Sequence, residues 1–182
     1  MEDKMSNLEK KLLEGVHGKK ELKKAEKNLY LGEFKERVIR YLTYAQVMEQ
    51  GTYPDILEAI KKPEARKLII DREIDLQAAN DYIKLASANN LQFKRVDSPD
   101  FKGDVALVVV SDQAVEVDER KVLSRAERLQ AKGISDIIIE NPGASLCSDC
   151  WRELAGKADE ELINYKKIGF LDKILGVKCV CK

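Results

Sequence analysis

All four cysteines of this chain lie in its last fifth, as Cys147-x2-Cys150 and Cys179-x-Cys181. Two close pairs separated by an intervening segment favour two short knuckles, each of which supplies two thiolates to one tetrahedral Zn²⁺. In a reducing compartment, clustered cysteines are typical of metal or redox sites rather than of a disulfide framework. The spacing therefore predicts a structural zinc site formed by these four residues.

The segment between the two pairs supports the zinc interpretation. Gly176 precedes the second pair, where a tight knuckle needs backbone freedom. One feature counts against zinc: the C-x-C pair is one residue shorter than the usual C-x-x-C knuckle, so its two sulfurs chelate with more strain. The segment also carries apolar side chains for a small core around the metal: Trp151, Leu154, Leu162, Ile163, Tyr165, Phe170, Leu171, Ile174 and Leu175.

Two alternatives remain open for the cysteines. Cys147 precedes a helical stretch that begins near Trp151, and a cysteine at a helix N-terminus has a lowered pKa. This position favours a thiol-redox site formed by Cys147 and Cys150, although Asp149 opposes thiolate formation and the second pair has no role in it. The other alternative is a set of four unligated thiols.

Charge and hydropathy limit the classes of protein. Charged residues make up 35% of the 182 residues and the formal net charge is zero, so no overall basic field steers the chain to nucleic acid. Residues 1–13 contain no apolar run long enough for a signal peptide or a membrane span. We therefore expect a cytoplasmic protein with no membrane partner. No Walker or Rossmann glycine pattern is present, and no nucleotide cofactor is expected.

The sequence divides into three predicted parts: an N-terminal arm (1–32), an α/β domain (33–133) and a cysteine segment (134–182). The arm alternates Lys and Glu with leucines at helical spacing. His17, the only histidine, lies in the arm beside Gly18 and is expected to be a loop residue.

Periodicity predicts the first half of the α/β domain. Apolar residues recur at helical spacing over residues 33–48, so this stretch is predicted to be a helix with one buried face. Gly51 ends that helix. A second short helix is predicted to begin at Pro54 and to stop before Pro63.

Strand patterns dominate the next part of the domain. Residues 67–71 and 92–96 predict two strands, and Asp75 is placed to cap a helix between them that ends at Asn89-Asn90. Residues 105–110 are too continuously apolar for a strand with one wet face. Helices are therefore expected to cover both sides of this third strand.

The remaining elements complete the predicted architecture. Residues 114–117 predict a short edge strand, and a helix is predicted from Asp118 to Gly133. Ser135 favours a helical turn over residues 137–139 rather than a strand. Together these elements predict a small three-layer α/β/α sandwich with a mixed sheet of about four strands, followed by a mainly helical zinc-binding appendage.

Several motifs of the α/β domain resemble the YueI-like bacterial domain, whose own function is uncharacterised. The residues that carry the resemblance are 29–38, which read LYLGEFKERV, then Leu42-Thr43 and residues 112–115. The resemblance covers residues 15–117, so the helix from Asp118 and the cysteine segment look like an extension. It implies an α/β fold and supplies no catalytic residues.

A more distant resemblance, over residues 33–115, is to the kink-turn RNA-binding ribosomal proteins. It rests on a long first helix, a Gly51-Thr52 turn and the order of the following elements. In that family the residues after the turn contact bent RNA. Here Tyr53-Pro54-Asp55 follows the turn and Leu57 stands in the place of a lysine, so most of the RNA-contacting residues are missing.

Four charged residues are candidate binding residues of the α/β domain: Arg37, Glu36, Asp71 and Asp112. Glu36 and Arg37 face different directions on a helix, so they do not form a catalytic pair. Arg37 is expected to lock its helix to Asp71 or Asp112, with the binding of a phosphate or a carboxylate as the alternative. Asp71 and Asp112 both end strands, where parallel sheets commonly place active residues.

The sequence favours a non-enzymatic binding or regulatory protein with a structural zinc site and an unknown protein partner. No histidine, serine elbow or phosphate-binding glycine loop accompanies the candidate carboxylates, so an enzyme is disfavoured. RNA binding by the α/β domain and the zinc segment is one alternative. A thiol-redox protein is the other.

Overall fold

The computed structural model describes residues 19–182, so His17 and most of the predicted arm lie outside the described residues. Its helices and strands are, in chain order, α1 (Lys19–Leu29), β1 (Val38–Thr43), α2 (Tyr44–Met48), α3 (Pro54–Lys61), β2 (Lys67–Asp71), α4 (Leu76–Ala88), β3 (Gln92–Val96), β4 (Val105–Val110), α5 (Arg125–Ala131), α6 (Asp136–Ile139), β5 (Ser145–Leu146), α7 (Ser148–Lys157), β6 (Lys166–Lys167) and α8 (Phe170–Ile174). Two 3₁₀ helices span Lys35–Arg37 and Asp159–Asn164.

Four strands form one mixed sheet in the order β1, β4, β2, β3. β2 and β3 are parallel and are connected through α4, whereas β4 is antiparallel to both of its neighbours. All residues of β4 except Val105 are buried, as the continuous apolar run requires. The structure therefore confirms the α/β class and the mixed four-stranded sheet.

The main hydrophobic core lies between one face of the sheet and helices α2, α3 and α4. Tyr53 and Tyr82 are its largest fully buried side chains. The Tyr82 hydroxyl accepts a hydrogen bond from the Tyr53 backbone N–H at 3.3 Å, and the Tyr53 hydroxyl donates to Glu49 at 2.9 Å. Both phenols are buried without leaving their hydroxyls unpaired. Asp75 caps α4 as predicted, because its carboxylate accepts from the Ala78 N–H at 2.8 Å.

The second face of the sheet is covered by the residues that follow α1 and by the loop before β4. Leu31 packs there against Val108, with Tyr30 and Phe101 beside it. Leu31 (φ +54°) and Gly32 (φ +89°) both have left-handed backbone conformations, which reverse the chain after α1. Within the motif over residues 29–38, the Leu31-Gly32 step is therefore the point at which the chain reverses.

The predicted helix over residues 33–48 is wrong. This stretch forms a 3₁₀ turn, then β1, and then the five-residue helix α2. Val38 and Tyr41 of β1 lie opposite Val110 and Val108 of β4, so the segment forms ladder hydrogen bonds with the central strand. Thr43 ends the strand and caps α2 through a reciprocal contact with Gln46. The long first helix of the RNA-binding resemblance is therefore absent from this stretch.

The segment after β4 also differs from the prediction. Residues 114–117 form no strand, and the helix predicted from Asp118 begins at Arg125, where Ser124 and Glu127 form a capping box. Before it, the chain follows the outer edge of β1: the Tyr41 N–H donates to the Arg120 carbonyl and the Val122 N–H donates to the Tyr41 carbonyl. This segment covers the exposed edge of the sheet.

The C-terminal appendage has its own hydrophobic core. Leu129 of α5 and Ile138 of α6 pack there with Leu146, Leu154 and Tyr165. The appendage is mainly helical, and α6 forms at the position where Ser135 favoured a helical turn. Leu129 of α5 belongs to this core although it precedes the predicted domain boundary at residue 133. The boundary itself stays a prediction.

Among residues 19–182, the structure contains no helix that combines the length and the apolar character needed to cross a membrane.

Candidate metal centre

The first pair of cysteines lies at the start of α7. Cys147 is the N-cap residue of this helix, and Cys150 lies one turn into it with a buried side chain. The short strand β5 precedes the pair and is parallel to β6, and the Ile168 N–H extends this pairing by donating to the Leu146 carbonyl at 2.9 Å. The backbone of the first knuckle is therefore held by a strand on one side and a helix on the other.

The second pair follows α8 and a tight turn. Gly176 has a φ of +75°, and the Val177 N–H donates to the Asp172 carbonyl at 2.9 Å, which returns the chain toward α7. Cys179 is buried and accepts a hydrogen bond at its sulfur from the Cys147 N–H at 3.2 Å. This contact joins the two knuckles directly.

The four sulfur atoms lie within 4.8 Å of one another. The Sγ of Cys150 lies 3.7 Å from that of Cys179, and the Sγ of Cys147 lies 3.8 Å from that of Cys181. Zn–S bonds of about 2.3 Å in a regular tetrahedron place neighbouring sulfurs about 3.8 Å apart. All four residues are free thiols. The arrangement fits one tetrahedral metal ion and brings together the four residues that the spacing predicted.

Burial and local hydrogen bonds shift the pKa values of the four thiols in different directions. The backbone N–H groups of Cys150 and Asp149, at the N-terminus of α7, lower the pKa of Cys147 to about 6. Burial opposes ionisation of Cys179, but the N–H groups of Cys181 and Cys147 outweigh it and lower its pKa. Burial raises the pKa of Cys150, and a hydrogen bond with Cys179 raises that of Cys181. A bound cation would bring the last two to the thiolate form as well.

A buried ion-pair network joins the appendage to the α/β domain. Arg125 is 2% exposed and Glu161 is fully buried. The Arg125 guanidinium donates to the carbonyls of Gln50 (2.8 Å) and Thr52 (3.3 Å), and its Nε lies 3.6 Å from a Glu161 carboxylate oxygen. Arg128 also pairs with Glu161. Separation of the two parts would leave buried charges without partners. The free-energy cost of these unpaired charges keeps the two parts together.

The side chain of Asn164, in the appendage, covers the Gly51-Thr52 turn of the α/β domain. Its amide oxygen accepts from the Thr52 N–H and its amide nitrogen donates to the Thr52 carbonyl, each at 2.7 Å. Gly51 has a φ of +86°, and a Cβ there would lie only 2.6 Å from the Asn164 oxygen. The turn that contacts RNA in the ribosomal protein resemblance is therefore hydrogen-bonded to the appendage in this chain.

Two of the candidate binding carboxylates lie far apart. β2 and β4 are antiparallel, with Lys67 opposite Val110 and Ile70 opposite Leu107. Asp71 ends β2 and Asp112 follows β4, so the two carboxylates lie at opposite ends of the sheet. The parallel-strand argument does not hold for this pair, and they cannot form one site.

Asp71 is buried beside a cleft of about 450 Å³ that Glu73, Asp97 and Lys102 also line. Its carboxylate accepts from the Glu73 N–H at 2.8 Å. Burial, and then a hydrogen bond with Asp71, raise the pKa of Tyr44. These contacts make Asp71 an anchor of the turn between β2 and α4, and a binding role for it stays a prediction.

Glu36 and Arg37 lie in the 3₁₀ helix before β1. The Arg37 carbonyl accepts from the Ser111 N–H at 2.9 Å, and the Arg37 guanidinium lies 5.4 Å from the Phe34 ring centroid. Within residues 19–182 it forms no ion pair with Asp71 or Asp112, and Asp112 pairs with Arg66 at 3.6 Å instead. The predicted lock by Arg37 is wrong, whereas binding by Glu36 or Arg37 stays a prediction.

Sequence reasoning missed the residues that join the two parts of the molecule. Arg125, Glu161, Asn164 and Gly51 lie far apart in the sequence, and only the tertiary contacts bring them together. The one available signal was the apolar periodicity of α5, which places Arg125 on the buried side of the helix.

Comparison with known proteins gives a family but no activity. Residues 5–121 match the family described as "Protein of unknown function (DUF1694)". The "Uncharacterized protein YueI" of Bacillus subtilis (strain 168) is 33% identical over 114 residues, which span 63% of this chain and 84% of that protein. The crystal structure of the YueI protein from Bacillus subtilis covers 56% of this chain and 80% of its own, with 29% identity and a TM-score of 0.54. The four cysteines lie beyond the family match.

Proposed function

This chain belongs to the DUF1694 family, and from that premise we propose that it is a non-enzymatic binding or regulatory protein whose four cysteines hold one structural Zn²⁺. The observation that carries the proposal is the position of the sulfurs. Pairs from the two knuckles lie 3.7 and 3.8 Å apart, close to the edge length of a zinc–thiolate tetrahedron. Cys147, Cys150, Cys179 and Cys181 are the ligands.

The composition of the centre supports a structural role for the ion. Catalytic zinc sites keep one coordination position for water or substrate, whereas four protein ligands close the coordination sphere. A Zn²⁺ held by four cysteines therefore leaves no position at which a substrate could bind. The ion would act as a cross-link between α7 and the turn after α8.

The cross-link matters because the surrounding elements are short. β5 and β6 contain two residues each, and α8 is a five-residue helix. Elements of this size form few backbone hydrogen bonds and bury little apolar surface. In such a segment the metal site does not exist in the unfolded chain, so the free energy of zinc binding contributes directly to folding.

Elemental analysis of the purified full-length chain tests the proposal. We expect about one equivalent of zinc per chain, and we expect Cys150→Ser to lower it because a buried ligand is lost. Ser148→Ala changes an exposed neighbour in the same turn and should keep the metal. Full zinc content in Cys150→Ser would contradict the assignment. A coloured protein that contains iron would keep the site but change the metal, since a four-thiolate site also suits iron.

The partner is to be identified by recovery from cell extract, with the wild-type chain and Cys150→Ser compared in parallel. A protein retained by the wild type and lost by the variant would support a regulatory role that depends on the appendage. Retained RNA that is released steeply by salt would support the RNA alternative, because phosphate contacts release counterions.

One observation favours the thiol-redox alternative. The N-terminus of α7 lowers the pKa of Cys147 to about 6, and the Sγ of Cys150, the second cysteine of the predicted redox pair, lies within 4.8 Å of the Cys147 Sγ. Rapid alkylation of Cys147 by iodoacetamide at neutral pH in protein that carries its metal would support a redox role. Protection of all four cysteines under the same conditions would support structural zinc.

A further inference from the structure

Residues 166–182 expose a cluster of large apolar side chains. Phe170 and Leu175 are each 78% exposed, Leu171 is 71% exposed and Ile174 is 67% exposed. Single exposed apolar residues are ordinary, but a contiguous cluster of this kind marks a surface that contacts another phase or molecule. We call residues 166–182 the apolar-basic tip.

Ile168, Cys179 and Val180 pack against the core of the appendage, whereas the helical turn between them forms without burying Phe170, Leu171, Ile174 or Leu175. Asp172 accepts a hydrogen bond from the Gly169 N–H at 2.8 Å, and the Leu175 N–H donates to the Leu171 carbonyl at 3.0 Å. Phe170 and Ile174 are four residues apart, as are Leu171 and Leu175, so both pairs lie on one side of the turn. Local hydrogen bonds therefore stabilise the turn, and its four large apolar side chains remain exposed.

The same segment carries a strong local charge. It contains five lysines and one aspartate, a net charge of +4 in a chain whose formal net charge is zero. The aspartate is the capping residue Asp172, and all the lysines are exposed: Lys166, Lys167, Lys173, Lys178 and Lys182. Lysines thus lie on both sides of the apolar cluster along the chain, with Asp172 as the one carboxylate side chain of the segment, and this excess favours an anionic partner.

The composition of the tip distinguishes between the partners that could cover it. A second copy placed symmetrically on the same surface would bring lysine against lysine. Protein interfaces are depleted in lysine and enriched in aromatic residues, methionine and arginine, and residues 166–182 contain five lysines, one aromatic residue (Phe170) and no methionine or arginine. Lysines beside an exposed apolar turn suit an anionic bilayer, where headgroups attract the ammonium groups and the apolar side chains enter the acyl boundary.

We propose that the apolar-basic tip is a docking surface for anionic lipid bilayers, in which Phe170, Leu171, Ile174 and Leu175 enter the interface. The sequence-based expectation of no membrane partner rested on the lack of a spanning segment, and interfacial binding requires none. The inference goes beyond the proposed zinc site. It uses that site only as the support of the tip, because Cys150 and Cys179 lie at its base.

Sedimentation with vesicles tests the apolar part of the surface. The full-length chain, with its metal, should sediment with vesicles of about 30% phosphatidylglycerol in phosphatidylcholine and not with pure phosphatidylcholine. The variant Phe170→Ser/Leu171→Ser/Ile174→Ser/Leu175→Ser should lose at least about a hundredfold in vesicle affinity, because the inserted apolar area is lost. Leu76→Ser/Leu123→Ser alters exposed leucines elsewhere and should bind like the wild type.

Neutralised lysines test the electrostatic part. Lys173→Gln/Lys178→Gln should weaken vesicle binding by about twenty-fivefold, since each lysine near an anionic surface contributes about fivefold. Lys62→Gln/Lys94→Gln removes the same charge from exposed positions outside the tip and should leave binding unchanged.

Several outcomes would overturn the proposal. They are failure of the wild type to sediment, equal sedimentation with neutral vesicles, and undiminished binding by the four-serine variant. Binding of an acidic amphipathic peptide without any vesicle binding would also overturn it and would assign the tip to a protein partner. Zinc content, measured on every sample, separates the two proposals. If the wild type keeps its metal but does not bind vesicles, only the docking proposal is refuted. Vesicle binding by wild-type protein that contains no metal refutes the zinc site alone.

Discussion

The α/β domain and the cysteine appendage are stabilised in different ways. In the domain, a four-stranded sheet and three helices enclose a continuous core in which Tyr53, Tyr82 and Leu107 are fully buried. The appendage has a smaller core, strands of two residues and a helix, α8, whose apolar side chains are exposed. From this difference we expect apolar burial to stabilise most of the domain, and we expect the appendage to rely more on the contacts at its ends.

The appendage is held at two places of different chemistry. At one end, the four sulfurs converge between α7 and the turn after α8. At the other end, Glu161 and Asn164 contact Arg125 and Thr52 next to the α/β domain. Each place can be altered separately, and the comparison between the two regions can therefore be tested in steps.

Removal of the metal should have the largest effect. A structural zinc contributes about 10 kcal/mol or more of apparent binding free energy, so chelation should unfold residues 144–182 while the sheet persists. Hydrogen exchange measured by mass spectrometry should rise in the appendage and stay slow in β4. Added Zn²⁺ should reverse the change, and unchanged exchange in the appendage after complete metal removal would contradict the comparison.

Glu161→Ala should have the next largest effect. It leaves Arg125 and Arg128 buried without their shared carboxylate, and loss of one partner of a buried pair costs about 3–5 kcal/mol. Urea unfolding measures this loss. The control is Asp81→Ala, whose exposed pair with Lys84 should contribute less than about 1 kcal/mol. Equal losses in the two variants would mean that burial of the network is unimportant.

Leu107→Ala should destabilise the α/β domain by about 3 kcal/mol, because it removes a fully buried side chain from the central strand and leaves a cavity. The zinc content should stay near one equivalent, since the cysteines have a separate core. Thermal unfolding and elemental analysis of the same sample check both statements. A loss of metal in the folded variant would show that the two regions are not independent.

A fall in pH should act more gradually than complete removal of the metal, and it should affect the metal centre before the sheet. The N–H groups that begin α7 lower the pKa of Cys147 to about 6, against about 8.5 for an ordinary cysteine. For a group with a depressed pKa, the stabilising contribution is complete above the ordinary value and is lost as the pH falls through about 6. Zinc retention against a chelator should therefore be high at about pH 8 and low at about pH 5, while the sheet remains folded. Constant retention over this range would argue against thiolate ligands.

The elements that sequence reasoning predicted correctly are those with a local cause. The strands β2, β3 and β4 are short runs suited to strand structure, and α4 has a cap at Asp75 and a left-handed Asn90 after its end. The four cysteines converge because two short knuckles allow few other arrangements. In each case the signal lies within a few residues.

The incorrect predictions concern segments whose structure depends on distant partners. The apolar spacing of residues 33–48 fits a helix, yet Val38 and Tyr41 pair with β4, and their segment forms an edge strand of the sheet. The antiparallel direction of β4 then places Asp71 and Asp112 at opposite ends. Neither the pairing nor the direction has a signal within the segment itself.

The sequence by itself indicated that the four cysteines lie close together and that a mixed α/β sheet surrounds the apolar run 105–110, because thiol spacing and hydrophobic runs act over short distances. Only the tertiary structure decided that Arg125, Glu161 and Asn164 join the appendage to the domain, and that α8 exposes its apolar face. The physical reason is that buried charge pairs and exposed surfaces depend on which chain segments meet in space.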